Sequence, residues 1–333
     1  MYNHDNTYTN KNKALKDVKN SKERPWQIHK KNTMDLAESY KRLGINKYYR
    51  VAECGTFLEF KRFIQDDSLI LNRSNFCKVR LCPMCSWRRS LKTFGQVSKV
   101  MDYALSQKDY RFIFLTLTCK NVYGEELGNQ LDKLFHAFKK LTERKVIKQA
   151  IKGWFRALEI THNLDETSKD YDTYHPHFHI VLAVNKSYFN DPKYYLSQEK
   201  WTSLWQSCLK VDYMPIVDVR AFKTGKKSHV SKSVAESAKY AVKSNDFIVR
   251  DKEGAIDEEL TDDSVLILDK ALANRRLVAF GGELKEIHKL LNLDDAENGD
   301  LVNTDNEELR EDLDYVIECY KWHIGYKQYY KID

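Results

Sequence analysis

The chain has 333 residues, 42% apolar and 31% charged, with only 12 Gly and 5 Pro; that balance suits two or three folded units and excludes collagen-like and low-complexity classes. Its longest apolar runs, such as 180–184 and 265–268, are too short to span a bilayer, and the Lys- and Asn-rich first 25 residues lack the apolar segment of a secretory signal, so a cytoplasmic protein with no membrane partner is expected. The net charge of +7 hides a split, with 45 Lys and Arg against 26 Asp and Glu in residues 1–250 but 10 against 22 in 251–333, which suggests a basic body that meets a polyanion and an acidic end that does not.

Residues 1–30 are polar, Lys-rich and unpatterned and read as a mobile arm. A short helix is expected over 34–43, with Leu36, Tyr40 and Leu43 on one face and Gly44 as C-cap. Four of the seven Cys fall in 46–95, and 91–105 reads as helix. Three strand-like runs follow: RFIFLTLT (111–118), WFRALEIT (154–161) and HFHIVLAV (177–184). Between the first two, 124–149 has Leu131, Leu134, Phe135, Phe138 and Leu141 at helical spacing. A strand-like segment at 216–222 precedes a helix at 229–244. This order predicts an α+β fold with a central antiparallel sheet flanked by helices. Beyond an acidic, turn-rich linker at 251–263 come a strand at 275–280, a turn at Gly281 and Gly282, and a helix at 283–291. A final amphipathic helix is expected over 307–321, with Leu309, Leu313, Val316, Ile317 and Tyr320 as its stripe. The expected division is thus a basic arm and short helix (1–45), a Cys-rich module (46–95), the sheet domain (96–250), and an acidic, mostly helical C-terminal region (251–333).

Three constellations carry chemistry. His177 and His179 alternate with apolar residues, so both rings point to one strand face, about 7 Å apart at ~3.4 Å per residue, while Phe178, Ile180 and Leu182 pack on the other. His175 has the same parity. Glu159, alone in the half-apolar ALEIT, would complete a His, His, carboxylate set if its strand pairs with the His strand, leaving open positions for water or substrate. The same donors occur in non-haem iron oxygenases, but no carboxylate follows the His pair at short spacing and the chain is basic.

In HVSKSVAESAKYAVKS (229–244), Glu236, Tyr240 and Lys243 fall within about 60° at 100° per residue, opposite Val234, Ala238 and Ala241. A phenol attacks poorly near neutral pH unless its anion is stabilised; a neighbouring ammonium does that and can hold a phosphate, and a carboxylate one turn away can accept a proton. A merely solvated face reads the same way in isolation. Cys82-Pro83-Met84-Cys85 is a knuckle that aims two sulfurs at one ion, and Cys77 and Cys54 complete a four-sulfur set of the structural zinc type; a reduced pair is the alternative. Lys78, Arg80, Arg88 and Arg89, with Trp87 among them, suit a phosphate backbone or a solvated basic face. Cys119, Cys208 and Cys319 read as packed thiols.

With NFCKVRLCPMCSWRRS (75–90), FLTLT (114–118), ALEIT, HPHFHI (175–180) and AESAKYAVK (235–243) in that order, the chain resembles the replication initiators of small rolling-circle plasmids of Gram-positive bacteria, members of the His-hydrophobic-His (HUH) endonucleases, over roughly residues 50–290. The resemblance implies a ferredoxin- or RRM-like sheet with the His pair on a central strand. It implies Mg²⁺ or Mn²⁺ held by Glu159, His177 and His179, with His175 as a further ligand or an orienting neighbour. Tyr240 matches the nucleophile, which leaves a 5′-phosphotyrosine and a free 3′-OH. Glu236 matches a carboxylate that activates water to end the cycle, and Lys243 stands beside them. The implied partners are plasmid origin DNA, single-stranded or as a hairpin nick site, with host helicase and polymerase as candidates. A zinc-bearing DNA-binding regulator without catalysis, and an HUH transposase or mobilisation relaxase, are the rival readings.

Overall fold

The computed structural model describes residues 14–222, 243–304 and 313–332. The chain groups into two compact units, 1–88 with 300–333, and 89–299. The expected mobile arm is instead structured from Ala14 onward: the short ladder of β1 (Val18–Lys19) and β2 (Lys22–Glu23) leads into α1 (Trp26–Arg42). That helix starts well before Met34 because its buried stripe includes Lys30 and Thr33 beside Trp26, Leu36, Ala37 and Tyr40, and polar residues on an inner face hide the hydropathy period. Lys30 is fully buried, and its Nζ donates to the carbonyls of Ala52 and Cys54 at 2.7 and 2.8 Å, which offsets the desolvation of the ammonium.

Helix α2 (Tyr48–Glu53) and the pair β3 (Phe57–Phe63) and β4 (Leu69–Ser74) follow, and α3 (Pro83–Lys108) begins at the cysteine knuckle rather than at Leu91. Next come β5 (Arg111–Thr118), α4 (Gly124–Glu143), α5 (Lys145–Ala150), β6 (Ile151–Asn163), β7 (Thr173–Val184), α6 (Gln198–Leu209) and β8 (Val217–Ala221). The stretch expected as one helix over 124–149 is divided at Arg144, whose ψ is 135°; Leu141, Ile147 and Ala150 bury on both sides of the break, so the apolar pattern does not register it.

Of the helix expected over 229–244, residues 229–242 lie outside the described residues. Lys243 has extended backbone and Ser244–Asp246 form a 3-10 turn, so the expected run does not reach Ser244. The expected linker at 251–263 is a helix in its second half, α7 (Glu258–Leu272). Its acidic residues begin the helix: Asp257 caps it by accepting from the Leu260 N–H, and Glu258 and Glu259 sit in the first turn, where they suit the helix dipole. β9 (Val278–Gly282) and α8 (Glu283–Leu290) then close this unit. Gly281 and Gly282 belong to the strand rather than to a free turn; a Cβ on Gly281 would come within 2.2 Å of the Trp154 indole.

Of the C-terminal helix expected over 307–321, residues 307–312 lie outside the described residues, and the rest is a correction: residues 315–321 belong to strand β10 (Tyr315–His323), paired with β11 (Gln328–Ile332). The buried residues are Glu318, Tyr320 and Trp322, spaced by two. Glu318 accepts from Arg62 at 2.8 Å, Lys331 at 2.7 Å and Tyr320 at 2.8 Å; an inward carboxylate hides the strand alternation. The first unit therefore holds an antiparallel sheet ordered β11-β10-β3-β4. Its core is aromatic, with Trp26 edge-on to Phe60 and Trp87 at 5.7 and 4.6 Å.

The second unit carries the expected central sheet, ordered β8-β5-β7-β6-β9 and antiparallel throughout. One face packs Phe178 and Trp154 against Phe135 and Phe138 of α4. Arg156 lies buried among those rings, 4.5 Å from the Phe135 centroid and 4.8 Å from Phe178. On the other face Phe112, Phe114, Phe155, Ala157, Val181 and Ala183 pack with Val97, Val100 and Met101 of α3 and Leu284 and Ile287 of α8. By strand parity that same face continues to His179, His177 and Glu159, which stand past the edge of the apolar cluster. Among the described residues no helix is long and apolar enough to cross a membrane.

Candidate active site and cysteine centre

Sheet register assembles the first site. β7 lies between β5 and β6, and the ladder sets His177 opposite both Thr118 and Glu159, and His179 opposite both Thr116 and Ala157. One donor atom from each of Glu159, His177 and His179 lies within 4.8 Å of the others. His179 Nε2 is 2.7 Å and His177 Nε2 3.5 Å from Glu159 Oε2. Each ring is turned by its other nitrogen. His177 Nδ1 is 3.1 Å from the carbonyl of His175; a carbonyl only accepts, so this contact places a proton on Nδ1 and turns Nε2 toward the site. His179 Nδ1 is 3.5 Å from Thr116 Oγ1, and its ring stacks on Phe114 at 5.5 Å.

His175 has a different place. Its ring stacks on His177 at 5.1 Å, but it is not among the three converging donors, and its backbone oxygen is what orients His177. Burial and the neighbouring His177 hold its pKa below the usual imidazole range.

Lys243 completes the constellation, its Nζ 2.9 Å from Glu159 Oε1. Burial opposes ionisation of Glu159, but hydrogen bonds from His177, His179 and Lys243 outweigh it and hold the carboxyl well below the usual carboxylate range. The hydrogen bond to Glu159 in turn raises the pKa of Lys243. Glu236 and Tyr240 lie outside the described residues.

Sequence reasoning missed the residues that hold Lys243. Asp246 Oδ2 accepts from the Lys243 N–H at 3.0 Å, and its Oδ1 accepts from the His162 N–H at 3.4 Å. His162 Nε2 meets Asp172 Oδ1 at 2.8 Å, its Nδ1 meets the Asp246 carbonyl at 3.1 Å, and its ring stacks on Tyr174 at 4.2 Å. The polar network thus runs from Asp172 through His162 and Asp246 to the backbone of Lys243. The available signal was His162 at the end of a strand that carries Phe155, Leu158 and Ile160, an ionisable group next to a core.

The four predicted cysteines also come together. Cys54 caps α2, Cys77 follows β4, and Cys82 and Cys85 flank the start of α3. Cys54 Sγ is 3.5 Å from Cys82 and from Cys85, and Cys77 is 3.7 Å from Cys85. Backbone N–H groups of Cys77, Lys78 and Val79 approach the sulfurs at 3.3 to 3.4 Å. Burial pushes the Cys54 thiol well up; burial would raise Cys82 too, but hydrogen bonds from the other three cysteines bring it well down. Holding four buried sulfurs as thiolates would require a cation, and this donor set could hold a metal ion, as could the Glu159, His177, His179 set.

The basic flank divides. Arg88 is fully buried, donates to the carbonyls of Leu301 and Val302 at 2.9 and 2.6 Å, and lies over Trp26 and Trp87. Its expected role as a DNA contact is therefore corrected: it fastens α3 to 301–302. Trp87 packs, at 5% exposure. Arg89 donates from Nε to the carbonyl of Glu297 at 2.9 Å and is half-buried, as is Arg80, whereas Lys78 is exposed. Cys119 and Cys208 are buried thiols, and Cys319 is half-buried.

An antiparallel sheet with a His, His, carboxylate set, in a chain that also has a four-cysteine centre, defines a class that comparison with known proteins makes definite. The family model described as replication protein matches residues 68–330, and the chain belongs to that family. Protein rep of Bacillus amyloliquefaciens is 41% identical over 355 aligned residues, covering 99% of each chain. Protein rep of Streptococcus pneumoniae serotype 2 is 40% identical over 309, covering 91% of each, and one from a Bacillus species is 44% identical over 291, covering 80% of this chain and 90% of its own. No solved structure matches the chain.

Proposed function

We propose that this chain is a plasmid rolling-circle replication initiator: it binds origin DNA, nicks one strand through attack by Tyr240, and rejoins DNA at termination. The observation that carries the reading is the meeting of Glu159, His177 and His179, with Lys243, three residues after Tyr240, on the same carboxylate. The arrangement of both His on the middle strand of an antiparallel sheet supports an HUH-type domain.

Glu159, His177 and His179 would hold Mg²⁺ or Mn²⁺, which supplies Lewis-acid polarisation of the scissile phosphate. The Tyr240 phenol loses its proton and its oxygen bonds to phosphorus. The bond from phosphorus to the 3′ oxygen breaks, and that oxygen takes up a proton to become the primer 3′-OH. The Lys243 ammonium stabilises negative charge on phenolate and phosphate. Because the phosphodiester energy is kept in the phosphotyrosine, a 3′-OH can reverse the step without ATP. At termination Glu236 accepts a proton from the water or hydroxyl that attacks. The four cysteines would hold a structural Zn²⁺. Host helicase and polymerase are the further partners this role calls for.

The test is to incubate the protein with supercoiled origin plasmid and Mn²⁺, trim the DNA with nuclease, and map the adduct by mass spectrometry. An adduct on Tyr240, absent from Tyr240→Phe together with nicking, is the expected result. Wild-type binding without nicking would instead support a regulator that lacks catalysis.

A further inference from the structure

The cysteine-bearing unit carries a cationic surface outside the flank of the knuckle. Residues 39–52 include Lys41, Arg42, Lys47 and Arg50 and contain no Asp or Glu. They form the end of α1, a turn through Gly44 at φ +66°, and the start of α2. The inner side of this corner is apolar: Leu36, Tyr40 and Val51 are each 0% exposed. The outer side shows Lys41, Arg42 and Arg50 exposed, with Tyr49 at 67%. The Tyr48 and Tyr49 rings lie together at 3.8 Å, and Lys47 Nζ is 5.9 Å from the Tyr40 ring.

Two features tie this corner to the cysteine centre. Arg50 Nη2 donates to the carbonyl of Cys77 at 2.7 Å, so α2 is fastened to the sulfur loop. The next residue, Lys78, is exposed with φ +58°, because its N–H turns in toward Cys85 Sγ at 3.3 Å; this left-handed backbone sends the chain around the sulfurs and leaves Lys78 beside the Arg50 anchor. Helix-dipole compensation accounts for Lys41 and Arg42 at the end of α1. Lys47 and Lys78 lie outside that last turn, and the exposed Tyr49 stands among these cations.

We propose that the α1–α2 corner, with Lys41, Arg42, Lys47, Tyr49 and Lys78, is a docking surface for the sugar-phosphate backbone of duplex DNA. Cations and tyrosine hydroxyls on a rigid helical corner are groups that fix a protein on a duplex by phosphate contacts without reading bases. Charge complementarity selects a polyanion, and an anchored helix pair suits the fixed phosphate spacing of a duplex better than a flexible strand. The proposal deepens the initiator reading and rests on it for the identity of the polyanion. It gives the cysteine centre a task, which is to hold Lys78 and the Arg50 anchor in place.

The test compares full-length wild type with Lys41→Gln/Arg42→Gln/Lys47→Gln. Each phosphate contact contributes about 0.9 to the slope of log affinity against log salt. For origin duplex, the slope should fall by about 2 to 3 and the affinity at 0.15 M salt by at least ~tenfold. Cleavage of a single-stranded nick-site oligonucleotide at saturating protein should stay within about twofold, since uniform backbone contacts act before chemistry. A Lys41→Arg/Lys47→Arg variant should keep wild-type affinity, and bound metal per chain should be unchanged in both; if the triple variant misfolds, Lys41→Gln alone should still lower the slope by about 1. An unchanged slope overturns the proposal, and an equal loss on duplex and single strand overturns the choice of duplex. A wild type that cleaves nothing, while the slope difference persists, refutes the initiator chemistry and leaves the docking surface standing.

Discussion

The two donor clusters differ in how the chain builds them. The cysteine centre is made from backbone turns, with sulfurs at a helix cap, in a loop and at the start of α3, closed in by N–H groups and by Lys30 and Thr33. The Glu159, His177, His179 set is made from sheet register and has a half-exposed ammonium resting on it. Four soft donors in a sealed set leave no position for a substrate, whereas three nitrogen and oxygen donors leave several. Under the proposed function this contrast would separate a centre that holds a fold from one that reacts, and each can be broken alone.

The largest effect is expected at the sealed centre. Structural zinc contributes about 10 kcal/mol or more of apparent folding free energy in small domains, so Cys82→Ser or strong chelation should abolish the cooperative unfolding of the first unit, read by calorimetry with metal analysis. At the open set the split reverses. His179→Ala should leave the melting temperature close to wild type and lower the nicking rate by about a thousandfold, which is ~4 kcal/mol of lost charge stabilisation. A comparable melting loss in both variants would refute the division of roles.

The same contrast explains what the sequence made legible. Spacing exposed the knuckle, strand parity exposed His177 and His179, and β6 and β7 pair so that Glu159 faces His177 as required. What stayed hidden involved polar groups used inside the fold. Lys30 and Thr33 on the inner face of α1 masked its first eight residues, 26–33, and Glu318 inside the β10 sheet made a strand look helical. Arg88 read as a surface cation because nothing local reveals that its acceptors are the carbonyls of Leu301 and Val302. Hydropathy assigns such residues outward; only partners distant in sequence turn them inward.

A smaller effect is expected from the network behind Lys243. His162→Phe keeps a ring against Tyr174 but loses the contacts to Asp172 and Asp246. These act on the Lys243 backbone, not on substrate, so the loss should resemble removal of an outer support, about 10-fold or more in rate. KM for a nick-site oligonucleotide should change little, and His162→Gln should recover part of the rate. A variant with unchanged kcat would show that the network serves folding alone.

The smallest effect concerns Asp246, whose pKa burial raises above the usual Asp value, although hydrogen bonds from the His162 and Lys243 N–H groups and the Lys243 charge pull it down and Glu159 pushes it up. A raised folded-state pKa means that folding favours the protonated form. The resulting stability is present below the unfolded pKa and is lost as pH rises through the folded one. Asp246→Asn mimics the protonated form, so its stability relative to wild type should increase from about pH 4 upward and then level off. For a half-buried group the gain should stay under about 1 kcal/mol. Denaturant midpoints of both proteins between pH 4 and 7 would read it. A difference that shrinks as pH rises would mean that the ionised carboxylate, through its hold on Lys243, stabilises the fold.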